Sequence, residues 1–223
     1  MSDRGPVILR KNSGRGSTVS SVNGPSLLGP RNDLAATLEE ARTCTVCMPH
    51  LPFGPRPLVA AHPDAPILMI GQAPGKAAHQ AGIPWQDRSG DRLRSWLGVS
   101  REQFYDSSKI ALVPMGFCFP GTSRRGDLEP RPECAPLWHP RILPQLQECK
   151  MTIYLGRFAF ARYLAGQYGS LSEAVADFRS LLPRQIALPH PSPRTAIWVK
   201  QRPWFADVLL PILKTTIKKT LRS

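Results

Sequence analysis

Three groups of residues have the types and spacing to do chemistry. Gly71-Gln72-Ala73-Pro74-Gly75 follows an apolar run, and its two glycines let backbone N–H groups approach a ligand with no side chain in the way. His190-Pro191-Ser192-Pro193-Arg194 follows another apolar run, and an imidazole donates a hydrogen bond even when neutral. Cys44 and Cys47 form a C-x2-C pair, with Cys118 and Cys134 farther along the chain. Four thiolates from three segments can close a tetrahedral cage around a cubane cluster or a zinc ion. Each group also has an ordinary reading: a turn that is only a turn, a solvated histidine, and reduced thiols.

The elements that must position these residues follow from periodicity. Four short apolar runs, Ile67 to Ile70, Ile110 to Val113, Met151 to Leu155 and Gln185 to Leu188, each end at Gly or Pro and read as buried strands. Amphipathic stretches at Asp91 to Leu97, Pro140 to Cys149, Arg157 to Gly166 and Leu171 to Leu182 read as helices between them. A first helix starts near Asn32 or Asp33 and runs to Arg42; a last one spans Trp204 to Leu213, with Pro203 in its first turn, and leads into a basic tail of Lys214, Lys218, Lys219 and Arg222. Strands alternating with helices predict a three-layer α/β/α domain around a central four-stranded parallel sheet. In such a sheet ligands gather at the carboxyl ends of the strands, where both the glycine turn and the histidine loop fall.

Lys and Arg outnumber Asp and Glu by 29 to 16, a net charge of +13, which favours a polyanionic partner, either nucleic acid or an acidic membrane face. No apolar run has membrane-spanning length and the N-terminus lacks a secretory pattern, so the expectation is an intracellular, cytoplasmic protein, with the nucleoid if bacterial, whose five cysteines stay reduced unless they bind metal. Residues 1–30, rich in Ser, Gly, Pro and basic side chains, read as a flexible leader, and residues 31–223 as one domain.

The glycine turn and the histidine loop together resemble motifs A and B of the uracil-DNA glycosylase superfamily. The likeness is to its iron-sulfur branch, family four, in which motif A reads Gly-Glu-Ala-Pro-Gly and a Gly-x-Pro-Phe segment follows. Gly82-Ile83-Pro84-Trp85 falls at that spacing without a gap, and the resemblance runs from about Cys44 to Trp204. It implies a monofunctional glycosylase that flips uracil out of DNA and hydrolyses its bond to deoxyribose, initiating base excision repair; a monomer is expected.

By the same resemblance Trp85 stacks on the flipped base, an interaction worth about 1–3 kcal/mol, and His190 donates to a uracil carbonyl. Gly71, Gln72 and Ala73 contact the base through their backbone. Ser192, Pro193 and Arg194 form a wedge for the minor groove, with Lys200 and Arg202 on phosphates. Cys44, Cys47, Cys118 and Cys134 match the ligands of the branch's [4Fe-4S] cluster, zinc or plain thiols remaining open; Cys149 is left over as a buried helix residue.

The sequence also departs from its relatives. Gln72 stands where they have an acid, so it can orient water without taking a proton, and Ala78 and His79 replace the acidic residues that follow motif A. Pro114 falls where the Asn that reads the uracil edge belongs. Base selection is then expected from backbone groups of Met115 to Phe117, and water positioning from Asp87. These departures leave two alternatives: the same fold excising hypoxanthine, xanthine or mismatched thymine, or a non-catalytic binder of damaged or single-stranded DNA.

Overall fold

A computed structural model of the chain describes residues 33–124 and 126–222; the leader expected over residues 1–30 lies outside the described residues. The central sheet contains β1 (Ile67–Ile70), β2 (Ile110–Leu112), β5 (Met151–Leu155) and β6 (Gln185–Leu188), while β3 (Thr122–Ser123) and β4 (Gly126–Asp127) form a separate hairpin. Spatial order is β2-β1-β5-β6, all parallel, with Ile67 opposite both Ile110 and Met151 and Thr152 opposite Gln185. Successive residues of a strand point to opposite faces, and all four residues of β1 are buried, so helices cover the sheet on both sides. The fold is the expected α/β architecture.

From β1 the chain moves outward to β2 and then returns across β1 to β5, which puts the topological switch point between β1 and β5. The two glycine-bearing turns after these neighbours, at Gly71 and Gly156, open onto the same end of the sheet.

Helix α1 (Leu34–Arg42) begins where Asp33 accepts a hydrogen bond from the Ala35 N–H at 2.9 Å, and buries Leu34, Leu38 and Ala41. Helix α2 (Lys76–Ala81) follows the first glycine turn. Helix α3 spans Arg88–Leu97, starting earlier than expected because Asp87 caps it, accepting from the Gly90 N–H at 2.8 Å. Helix α4 (Arg101–Tyr105) is opened by a capping box of Ser100 and Gln103.

The helix expected over 140–149 is displaced. Helix α5 runs Cys134–Ile142, with Pro136 in its first turn, and gives way to a 3-10 turn at Leu143–Gln145, where Pro144 cannot continue the ladder. Helix α6 is Gly156–Tyr163. The stretch Leu171 to Leu182 divides at Asp177 into α7 (Leu171–Ala176) and α8 (Phe178–Leu181), the Asp177 carboxylate accepting from Tyr168 and Ser180 hydroxyls. Helix α9 is Ala196–Lys200.

The last helix starts as a π-turn at Phe205–Leu209 and becomes α10 (Leu210–Thr220), because Pro211 has no N–H to return to Asp207. Lys214, Lys218 and Lys219 therefore lie within a helix and not in a trailing tail. Among the described residues no helix is long and apolar enough to cross a membrane.

Candidate active site at the carboxyl edge of the sheet

A cleft of about 1070 Å³ lies over the carboxyl ends of the strands, and its walls include Gly71 to Gly75, Trp85, Pro114, Gly156, His190 and Arg194. The sheet thus brings together the glycine turn, the tryptophan segment and the histidine loop.

Trp85 and His190 meet directly. Their ring centroids are 5.5 Å apart with a 29° tilt, within the range of an aromatic pair. That spacing leaves no room for a third ring between them.

Trp85 is held with care. Among the described residues it is the one non-glycine with positive φ, at 58°, a conformation that costs a side-chain-bearing residue free energy. Three features hold it there. Tyr105 donates its hydroxyl to the Pro84 carbonyl at 2.9 Å; Arg94, buried in α3, donates to the Trp85 carbonyl at 3.4 Å and pairs with Asp91 at 2.5 Å. Gly90 makes room, because a Cβ there would stand 1.8 Å from the Trp85 oxygen. On the other side a Cβ on Gly71 would stand 2.9 Å from the indole, so motif glycine and ring are in contact.

His190 sits on the loop after β6. Its carbonyl accepts from Thr195 Oγ1 at 2.7 Å and from the Ser192 N–H at 2.8 Å, and Arg92 of α3 donates to the Ser192 carbonyl at 3.1 Å. Burial pushes the imidazole pKa below its ordinary value, partly opposed by the negative charge of Asp87. The ring is therefore neutral at neutral pH, a donor without a charge.

The expectation for Met115 to Phe117 is corrected, since none of the three lines the cleft. Their three N–H groups are spent: Met115 donates to Gly71 O at 2.8 Å, Gly116 to Gln72 O at 2.8 Å, and Phe117 to Cys134 Sγ at 3.3 Å. These bonds fasten the glycine turn to the chain after β2 and leave no donor for a base. Pro114, which does line the cleft, has no N–H, and its carbonyl accepts from buried His139 Nε2 at 2.9 Å, whose other ring nitrogen meets the Tyr163 hydroxyl. Since Nε2 faces a carbonyl it carries the proton, so Nδ1 is the acceptor.

Asp87, Asp127 and Glu129 are the carboxylates that line the cleft among the described residues. Glu129 pairs with Arg157 at 2.6 Å, both exposed. His79, in place of a relative's acid, points elsewhere, buried between Phe53 and Phe119. Lys76 also lies outside the cleft, its ammonium 5.9 Å from the Phe53 ring.

Ser192, Pro193 and Arg194 form part of the cleft rim. Arg194 is exposed, and its guanidinium covers Gly126 of the β3–β4 hairpin. Lys200 is exposed on α9; Arg202 stacks on Trp198 at 4.6 Å and donates to its carbonyl at 3.3 Å.

Residues 59–214 match the family model described as the uracil DNA glycosylase superfamily. The chain belongs to that superfamily.

Superfamily membership makes it a DNA glycosylase, a hydrolase of DNA repair that acts on a base within DNA. The sequence did not single out Gly90, Arg94, Tyr105 or Asp127. A glycine interrupting an amphipathic helix, as Gly90 does, is a signal of close approach that could have been read. Asp127 carries no such signal, since its two-residue strand is too short to show a pattern.

The four cysteines singled out in the sequence converge at the far side of motif A, around a small apolar cavity bounded also by Leu51, Phe117 and Trp138. Among the described residues no group of three or more His, Cys, Asp or Glu has the spacing of a single-ion cage. Burial pushes the Cys118 thiol up to about 11 and that of Cys134 up to about 12, and raises Cys47, which also feels Glu133. Cys149 lies apart from them, half-buried in the loop just before β5 beside Met151 and Thr152; the expectation of a buried helix residue is corrected, because the helical stretch ends at the 3-10 turn Leu143–Gln145.

Proposed function

We propose that this glycosylase is monofunctional and removes uracil from DNA. The observation that carries the reading is the direct pairing of Trp85 and His190 within one cleft at the switch point of the sheet. An extruded pyrimidine lies on the indole face, and stacking offsets part of the few kcal/mol spent unstacking and unpairing the nucleotide. His190 moves to its carbonyl edge and donates an N–H. As the glycosidic bond breaks, negative charge develops on the base oxygens, so the donor binds the transition state more tightly than the ground state.

Gly71, Gln72 and Ala73 border the same space and cradle the base with backbone groups. Gln72 orients water; it takes no proton. Asp87 uses one oxygen to cap α3 and turns the other toward Gly75, which suits it to position the attacking water. No lysine lines the cleft among the described residues, in keeping with attack by water rather than by an enzyme amine.

On the rim, Ser192, Pro193 and Arg194 enter the minor groove and Lys200 and Arg202 meet phosphates. Arg194→Ala is expected to weaken binding of duplex more than of single-stranded substrate, measured by fluorescence anisotropy; equal effects on both would remove the wedge role.

A second reading is favoured by one observation. Pro114 offers no amide to the base edge and its carbonyl is engaged by His139, so this position supplies no reader specific for uracil. Hypoxanthine, xanthine or mismatched thymine then become competitors. Excision from oligonucleotides bearing each base decides: the first reading expects uracil to leave fastest, and faster release of a purine base overturns it. Protein that binds these strands yet leaves no alkali-labile site would instead be a binder without catalysis.

The four cysteines have the donor chemistry for an iron-sulfur cluster. A cubane spreads its thiolates farther apart than one ion does, and the Phe117 N–H already directed at Cys134 Sγ is the kind of hydrogen bond that tunes such a sulfur. Bound there, a cluster supplies structure by tying α1 to α5; base excision needs no redox step. Broad visible absorbance of the purified protein, lost in Cys134→Ser, is the expected result; a colourless wild type containing zinc or no metal would contradict it.

A further inference from the structure

Gln72 leaves motif A without a carboxylate, yet a carboxylate pair stands over the same turn. The β3–β4 hairpin carries Asp127 across the cleft until its Oδ2 lies 3.1 Å from the point a Gly75 Cβ would occupy. Asp87 Oδ2 approaches that point from the α3 side, at 3.9 Å. Gly75 makes room for Asp127, since a Cβ there would press on that carboxyl while meeting Asp87 at an ordinary contact distance. Of the three carboxylates along the cleft, Glu129 is committed to Arg157, which leaves this pair.

We propose that Asp127, acting with Asp87 above Gly75, holds the attacking water and takes its proton, replacing the acid that motif A lacks. The inference rests on the excision reading and names the base for it. The water oxygen bonds to C1′ of the deoxyribose as the bond from C1′ to the nucleobase nitrogen breaks. The bonding electrons leave with the base, whose anion is held at His190 and later protonated from solvent, and the proton of the water passes to the aspartate pair.

The electrostatics agree with the geometry. Although Asp127 is exposed as a residue, its carboxyl is pushed up from the ordinary carboxylate range by desolvation and then by the charge of Asp87, with Arg194 opposing. A carboxyl raised in this way is a better proton acceptor than an ordinary one. Asp87 also faces His190, and its charge acts on that ring. The groups bearing on Asp127 are thus Asp87 from α3 and Arg194 from the His190 loop.

The test is single-turnover excision by full-length wild type, Asp127→Asn, Asp87→Asn and the double variant, with DNA affinity measured alongside. Asparagine keeps the shape at both positions and is itself a good cap for α3. The expected result for Asp127→Asn is a roughly 10²-fold or greater loss of rate with affinity unchanged or tighter, since a negative charge beside a polyanion is removed. In wild type the rate rises with pH as the raised Asp127 carboxyl ionises, and that limb flattens in the variant; Asp127→Glu restores part of the rate.

Asp127→Asn with wild-type rate and pH profile overturns the proposal, as does a loss confined to affinity, which would mark Asp127 as a structural partner of Arg194. Either outcome leaves the excision reading standing. Wild-type protein that releases no base removes both together.

Discussion

His190 can act on a leaving base only as a neutral donor, because burial holds its imidazole below the ordinary pKa. His190→Ala is therefore expected to lower the single-turnover rate by about 10²- to 10³-fold while leaving the Kd for DNA nearly unchanged. A variant that binds poorly but reacts normally would assign the ring to binding. At this scale the convergence of the glycine turn, Trp85 and His190 on one cleft was legible. His190 and Trp85 each follow a recognisable motif, and the sheet places them together. The carboxylate was harder to read, because the residue type expected in motif A is missing there and stands instead on a hairpin tens of residues away. Met115 to Phe117 were misread because a sequence shows which N–H groups exist and not which are already bonded.

The segment carrying Trp85 is an element whose strain is supported by its neighbours, chiefly α3 and Tyr105. Gly90→Ala forces a methyl group into the Trp85 carbonyl, where the gap is 1.8 Å. Overpacking of this kind costs roughly 1–3 kcal/mol or more, read as a lower Tm together with weaker base binding; a variant with unchanged Tm and activity would show that the segment relaxes freely. Tyr105→Phe removes one hydrogen bond, worth about 1 kcal/mol, and should lower activity more than stability. The four sheet strands were legible because strands buried on both faces are continuous apolar runs between Gly and Pro. Helix α5 lies earlier than the amphipathic stretch Pro140 to Cys149, because Pro136 fits its first turn and Pro144 ends the ladder. The hairpin and the short helices α2 and α9 were not legible, since two to six residues show no period, and the Ser100–Gln103 capping box of α4 was overlooked.

Over the whole molecule two properties follow from charge and burial. A net charge of +13 makes DNA affinity fall steeply with salt, and each phosphate-contacting Lys or Arg removed should shallow the dependence of log K on log salt by about 1. His139 and His190 are both held below their ordinary pKa by burial, so the native state binds fewer protons than the unfolded chain. Stability from these two groups is full above the unfolded value near 6.5 and is lost as pH falls through their lower native values. A Tm that drops between pH 7 and pH 5, less so in His139→Gln, is expected; a flat Tm would mean the two rings charge without cost.

The account depends on Trp85 and His190 working on one everted base. A double-mutant cycle on single-turnover uracil excision, using Trp85→Ala, His190→Ala and the pair, tests that most directly. The prediction is that the double variant is far less impaired than the product of the two single losses, because a base no longer held by the indole cannot meet the imidazole. Losses that simply multiply would mean that the two rings serve separate sites.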